Sequence, residues 1–329
     1  MTVFHGLGPL PGTDVRAVAE VLAGEAGAMP HLPILPARGL GADDVGRTGA
    51  ICADLDLDAG PRSWRVADRP GRAAAAATDH LERDLDACEE FWGTAPATVI
   101  VPVTGPWTMA AAVELAGGHR LLTDRGAVAY LAASLAEGLS RHVADVRRRF
   151  DAQVRVVMHE PVAGAVAAGL VAGALPGTYL PSVGHREMSE QWRTVTVDAG
   201  LPEITIAVPG LGAGREPAGL EKALRDSGAA SLALPVASIR GAAALDGVGR
   251  LRSEGIDLVL GAVASAPGAT AEHTGRPLEP EARDIGERVA RLWDELSFPR
   301  IDLVDHVALT VEPGFADAPT EWIAPAYAC

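Results

Sequence analysis

The sequence predicts a (β/α)8 barrel, a TIM barrel, read as one domain over residues 1–329, and three observations carry that expectation. Short apolar, β-branched runs alternate with longer segments of helical periodicity, the pattern of strand, crossover helix and parallel strand. About eight such runs can be counted in the chain, the number that closes a barrel. The doubly wound alternative lacks its phosphate loop. The one candidate, Gly6-Leu7-Gly8-Pro9-Leu10-Pro11-Gly12, is interrupted by two prolines with no N–H to offer a phosphate. No internal repeat is visible, and no linker divides the chain.

Composition excludes several classes. Hydrophobic residues make up 48% and charged residues 22%, the balance of an ordinary globule, and 37 Gly with 24 Pro suit many short loops. The formal net charge is −15, and the densest basic cluster, Arg147-Arg148-Arg149, falls late in a helix where it complements the dipole. No basic run suits a phosphate backbone, so no nucleic acid is expected. The three cysteines, Cys52, Cys88 and Cys329, are far apart and form no CxxC pair, which argues against a disulfide framework, and their number excludes a cysteine-rich zinc site. No leader and no membrane-spanning run is visible, so no membrane partner is expected and a reducing cytoplasm is the default location. Self-association stays open.

Along the chain, Val3 to Leu7 predicts the first strand. Thr13 or Asp14 can cap a helix with Val15, Val18, Val21 and Leu22 on one face. Met29 to Arg38, with Pro30, Pro33 and Pro36, predicts an ordered extended loop in which His31 is structural or solvated, or lines a pocket. Asp43-Asp44 starts a short helix, and Arg62 to Val66 a short strand. The turn Asp68-Arg69-Pro70-Gly71 precedes a helix over 72–92, striped by Leu81, Leu85, Cys88 and Phe91. Ala97 to Val103 predicts a strand ending at Thr104-Gly105-Pro106-Trp107-Thr108, where Trp107 is a flat wall for a ligand or a core residue. Long helices are expected over 127–150 and 280–296, and shorter ones over 181–197, 216–226 and 242–253. Residues 162–175 predict a small-residue helix or lid. Further strands are expected over 204–208, 231–234, 256–260 and 307–311.

The stretch Val154 to Pro161 stands out. An apolar run runs directly into His159 and Glu160, and Pro161 stops it. Strand carboxyl ends are where such folds bind ligands. His159 and Glu160 are therefore the candidate catalytic acid–base pair, a histidine beside a carboxylate being tunable to working pH. His5, Trp107 and Glu312 are candidate substrate-binding residues, because each lies at an expected strand end. His5, His159, Glu160 and Glu312 would share one rim, and two His with one carboxylate can hold a non-haem metal.

Three segments carry a family resemblance: GLGPLPGTD (Gly6 to Asp14), VTGPWTMAAAVEL (Val103 to Leu115) and VVMHEP (Val156 to Pro161). They resemble the catalytic C-terminal barrel of cobalamin-independent methionine synthase, and look closest to its short single-barrel actinobacterial homologues. HLPILPARG (His31 to Gly39) and the turn at Asp68 extend the likeness, which covers most of the chain and loosens in the last third. The superfamily also contains uroporphyrinogen decarboxylase.

The resemblance implies methyl transfer from a methyl-folate to the thiol of homocysteine on a zinc held by one His, two Cys and one Glu. Zinc makes the thiol a thiolate at neutral pH. The matching positions depart from that pattern. The His-x-Cys pair is Ala207-Val208-Pro209 here, the glutamate position is Leu234-Pro235, and the last Cys-Gly turn is Glu312-Pro313-Gly314. Gly261-Ala262 replaces the proton-donating histidine, His159 the amine-binding aspartate, and Pro9 the loop serine. No metal and no cofactor is therefore expected. The expected ligand is a small molecule at the strand ends, a thiol amino acid or a folate if the resemblance extends to substrate. Three functions fit: a methyltransferase-like enzyme, a metal-independent barrel lyase or decarboxylase using His159 and Glu160, and a non-catalytic pseudo-enzyme.

Overall fold

The computed structural model describes residues 3–201, 203–211, 219–266 and 282–328. Its centre is a curled sheet of seven parallel strands: β1 (Val3–Phe4), β4 (Thr98–Thr104), β5 (Gln153–His159), β6 (Ile204–Ala207), β7 (Ser231–Pro235), β8 (Asp257–Val263) and β9 (Val307–Val311). Their order is β1-β9-β8-β7-β6-β5-β4, with β2 (Leu57–Ala59) and β3 (Trp64–Val66) forming a separate antiparallel pair.

The two edges of the curled sheet are joined by the proline-rich segment. Leu32 N–H donates to the Ile100 carbonyl and Ile100 N–H to the Pro30 carbonyl, both at 2.9 Å. On the other side Ile34 N–H donates to Gly8 and Leu10 N–H to Ile34, also at 2.9 Å. Residues 30–34 thus act as the eighth stave of a TIM-barrel-like ring. This corrects the strand assignment from sequence, which counted 62–66 as a stave. That run has strand composition, but its partner is Leu57–Ala59. The true stave was read as a loop because three prolines lack ladder donors. They do no harm here: the donors used are on Leu32 and Ile34, between the prolines.

The helices form the outer layer: α1 (Val15–Glu25), α2 (Asp44–Ile51), α3 (Arg72–Trp92), α4 (Pro106–Ala112), α5 (Arg125–Phe150), α6 (Ala163–Ala168), α7 (His185–Arg193), α8 (Leu220–Arg225), α9 (Gly241–Ser253), α10 (Ala282–Glu295), α11 (Asp302–His306) and α12 (Ile323–Tyr327). The Asp14 carboxylate caps α1 by accepting from Arg16 and Ala17 N–H. Helix α3 has the expected bounds and buries Leu81, Leu85 and Cys88, with Trp92 completing the stripe and Phe91 half-buried. Arg149 does more than meet the dipole of α5: it pairs with Glu82, Asp86 and Glu89 of α3 and with Asp145. The expected helix over 162–175 is only α6, ended by Gly169 at φ 68°. That over 181–197 begins at His185 and ends in a wide turn, Thr194–Asp198. Residues 216–218 and residues 280 and 281 of two expected helices lie outside the described residues. Among the described residues no helix is long and apolar enough to cross a membrane.

Side-chain alternation divides the core. One cluster fills the space between sheet and helices. A small second cluster, Ile100, Val157, Ala207, Ala233 and Val259, plugs the barrel axis. The C-terminal segment folds back on the ring: Trp322 and Tyr327 are buried, and the Tyr327 hydroxyl reaches the His31 ring. Gly6 is required at that crossing, since a Cβ there would overlap both Tyr327 and His31.

Burial also sets a pH dependence. His142, on α5, has no hydrogen-bond partner for Nε2, and desolvation lowers its pKa to about 3. In the unfolded chain an ordinary histidine protonates near 6.5. The unfolded state therefore binds the extra proton below that pH. Stability is full above about 6.5 and falls as pH drops, by up to about 1.4 kcal/mol per pH unit for this group. His142→Leu is expected to flatten the slope of urea-unfolding free energy between about pH 6 and 4 by up to that amount. An unchanged slope would show that His142 takes up its proton in the folded state.

Candidate active site at the strand carboxyl ends

Alternation along β5 sends Arg155, Val157 and His159 into the barrel, and Val156, Met158 and Glu160 away from it. At the carboxyl ends of the strands the inward residues of three neighbours are Ala207, Ala233 and Gly261, with Ala207 opposite Ala233 in register. Such small side chains leave a cavity of about 300 Å³, lined also by His159, Asp44, Thr310, Glu312 and Tyr327.

His159 is half-buried, and its Nε2 lies 2.7 Å from the Leu7 carbonyl. A carbonyl only accepts, so Nε2 carries the proton and Nδ1 is the basic nitrogen of the neutral ring. Desolvation lowers the His159 pKa, while the bond to Leu7 and the charge of Asp44 oppose that shift. The ring is thus held neutral and available as a base.

Asp44 is the residue that sequence reasoning missed. It sits at the first position of α2, where Asp43 has already taken the capping role by accepting from Gly46 N–H. The Asp44 carboxylate faces the cavity, and its Oδ1 is buried with no hydrogen-bond partner. Burial raises its pKa, Asp43 adds to the rise, and His159 and Arg47 oppose it. A second acid beside a cap that needs only one was the signal available in the sequence.

Glu160 does not pair with His159. Its carboxylate is fully buried on the outer side of β5 and accepts four hydrogen bonds. Trp107 N–H at 3.0 Å and Trp192 Nε1 at 2.8 Å donate to Oε1; Thr108 N–H at 2.8 Å and Thr108 Oγ1 at 2.7 Å donate to Oε2. Burial raises its pKa against the pull of these donors. The TGPWT segment is built for this anchor: Gly105 leaves room that a Cβ would take from the carboxylate, and Pro106 starts α4. Trp107 is correspondingly a core residue and not a ligand wall. It is fully buried, and its Nε1 donates to the Met188 carbonyl at 3.1 Å.

Of the other candidates, Glu312 does line the cavity, while its backbone N–H is spent on the Val263 carbonyl at 2.7 Å. His5 does not share that rim. With β1 ending at Phe4, its ring falls below the axial plug and lines a different cavity of about 250 Å³ at the amino ends of the strands, with Arg155, Glu203 and Asp257. Burial lowers its pKa to about 4. His31 is structural: Nδ1 donates to the Leu32 carbonyl and Nε2 accepts from Tyr327. The shared rim of His5, His159, Glu160 and Glu312 therefore does not form, and with it goes the two-histidine metal site.

The residues present also do not fit the zinc that the resemblance implies. Ala207, Pro209, Leu234, Pro235 and Gly261 line the cavity where ligands and the proton donor would stand, and offer no side-chain donor atom. Among the described residues no group of three or more His, Cys, Asp and Glu is arranged for a metal. Cys88 is buried in α3, and burial pushes the Cys52 thiol up to about 12. Cys329 lies outside the described residues.

The chain matches no protein-family model and no curated protein by sequence. Among solved structures it is similar to a methyltransferase from Methanosarcina mazei, with TM-score 0.54 and 11% identity over 99% of this chain and 92% of that one. It is also similar to a B12-independent methionine synthase from Shewanella sp. W3-18-1 in complex with selenomethionine, with TM-score 0.55 and 10% identity over 100% of this chain and 95% of that one. At such identity the likeness establishes a shared TIM-barrel-like fold.

Proposed function

We propose that this protein binds a small molecule in the cavity at the carboxyl ends of its strands and moves a proton on it through His159, without zinc. The observation that carries this reading is a histidine and a carboxylate brought together on a largely apolar cavity. A neutral imidazole carries its basic nitrogen at Nδ1, and the Asp44 carboxylate stands within electrostatic reach of it. A few convergent polar groups in a largely apolar cavity at the strand carboxyl ends are the usual mark of a ligand site in such folds.

The chemistry follows from the positions. His159 Nδ1 accepts a proton from the bound molecule, Leu7 holds the ring by its other nitrogen, and the Asp44 charge stabilises the imidazolium that forms. Retention of a cavity favours this reading over a pseudo-enzyme whose strand ends are filled by side chains. Taking about 30 Å³ for each water-sized unit, the space suits a molecule of on the order of ten non-hydrogen atoms. That size supports a small substrate over a folate, and loss of the thiolate-generating ligands argues against methyl transfer to homocysteine.

A thermal-shift screen of small metabolites on wild type and His159→Ala tests the proposal. The variant is expected to keep the melting temperature of the unliganded protein and to lose about tenfold or more in affinity for whatever stabilises wild type. Equal stabilisation of both proteins would remove His159 from the ligand site, and aggregation of the variant would make it a structural residue.

A further inference from the structure

We infer that the ligand of this cavity is a small organic cation, an ammonium or amidinium on a compact apolar body. The inference rests on the reading above and adds the charge of the molecule.

Two observations point to it independently. The first is the balance of charge: Asp44 and Glu312 line the cavity, and among the described residues no Lys or Arg does. The second is the backbone. Six prolines line the same cavity: Pro9, Pro36, Pro161, Pro209, Pro235 and Pro313. Proline has a carbonyl but no N–H. A carboxylate or phosphate is held by backbone N–H groups or by cationic side chains; the six prolines offer no N–H, and no cationic side chain among the described residues lines the wall. The Asp44 carboxylate, which lines the cavity, is the natural counter-charge. The apolar remainder of the lining, with Phe315, Ala207 and Ala233, receives the hydrocarbon part.

Binding should weaken as the solution is acidified, because a protonated Asp44 offers no charge. The groups facing that carboxylate are His159 across the cavity and Asp43 and Arg47 on its own helix.

The test uses the full chain and three probes of one skeleton: cyclohexylamine, cyclohexanol and cyclohexanecarboxylate. Binding is followed by calorimetry and by the histidine ring signals in NMR at about pH 7.5, where the amine is protonated. The amine is expected to bind about tenfold or more tighter than the alcohol, to move the His159 signals, and to lose that advantage in Asp44→Asn. Stronger binding of the carboxylate, or an Asp44→Asn variant that binds the amine as wild type does, would overturn the cation assignment. If the alcohol or the carboxylate moves His159 and the amine does not, the cavity is a ligand site with the opposite preference. If none of the three moves His159, the cavity reading falls as well.

Discussion

Replacing Glu160 by alanine is expected to cost about 3–5 kcal/mol of folding stability, a large share of the 5–15 kcal/mol typical of a domain. The carboxylate is 0% exposed and gathers four donors from two elements: Trp107 and Thr108 at the start of α4, and Trp192 in α7. Removing it leaves two backbone N–H groups, a hydroxyl and an indole N–H buried without an acceptor. Glu160→Gln keeps the volume and one carbonyl oxygen but turns an NH2 group toward donors, so a smaller loss of about 1–3 kcal/mol is expected. Urea unfolding of both variants gives the measurement. A loss in Glu160→Ala below about 1 kcal/mol would mean that the donors find other partners.

The second large effect is expected at Asp84. This fully buried carboxylate receives Arg38 through two bonds, at 2.7 and 2.6 Å, and Arg47 at 3.3 Å. Arg47 itself is 4% exposed, and its Nε and Nη2 have no partner. Asp84→Ala would strand two guanidinium groups between α2 and α3, at an expected cost of about 3–5 kcal/mol. The pair is not stabilising merely because it is buried, since desolvation opposes the attraction. Asp84→Leu combined with Arg38→Met and Arg47→Met is therefore expected to recover most of the loss in the same unfolding assay. A triple variant no more stable than Asp84→Ala would show that the ionic cluster sets the packing of these helices.

The fold was largely legible because its period is written into long segments. The helix over 72–92 could be read residue by residue from its apolar stripe, and β5 from its β-branched run. What could not be read was pairing. Trp64–Val66 and residues 30–34 differ in how their donors are used, which is a tertiary fact. The candidate site was legible in part for the same reason. His159 announces itself at the end of a strand, and Glu312 at the end of another. Whether Glu160 faces the ligand or the helices depends on a single step of alternation at the strand end, and it faces the helices. Asp44 comes from a helix start far away in sequence and meets His159 only when the ring closes.

The pKa of His159, followed by its ring NMR signals in wild type, Asp44→Asn and Glu160→Gln, tests this arrangement most directly. Asp44 is the charge that raises the His159 pKa against burial, so Asp44→Asn is expected to lower it further, while Glu160→Gln leaves it in place. A drop on altering Glu160 with none on altering Asp44 would contradict the site as assigned and restore the adjacent carboxylate as the partner of the histidine.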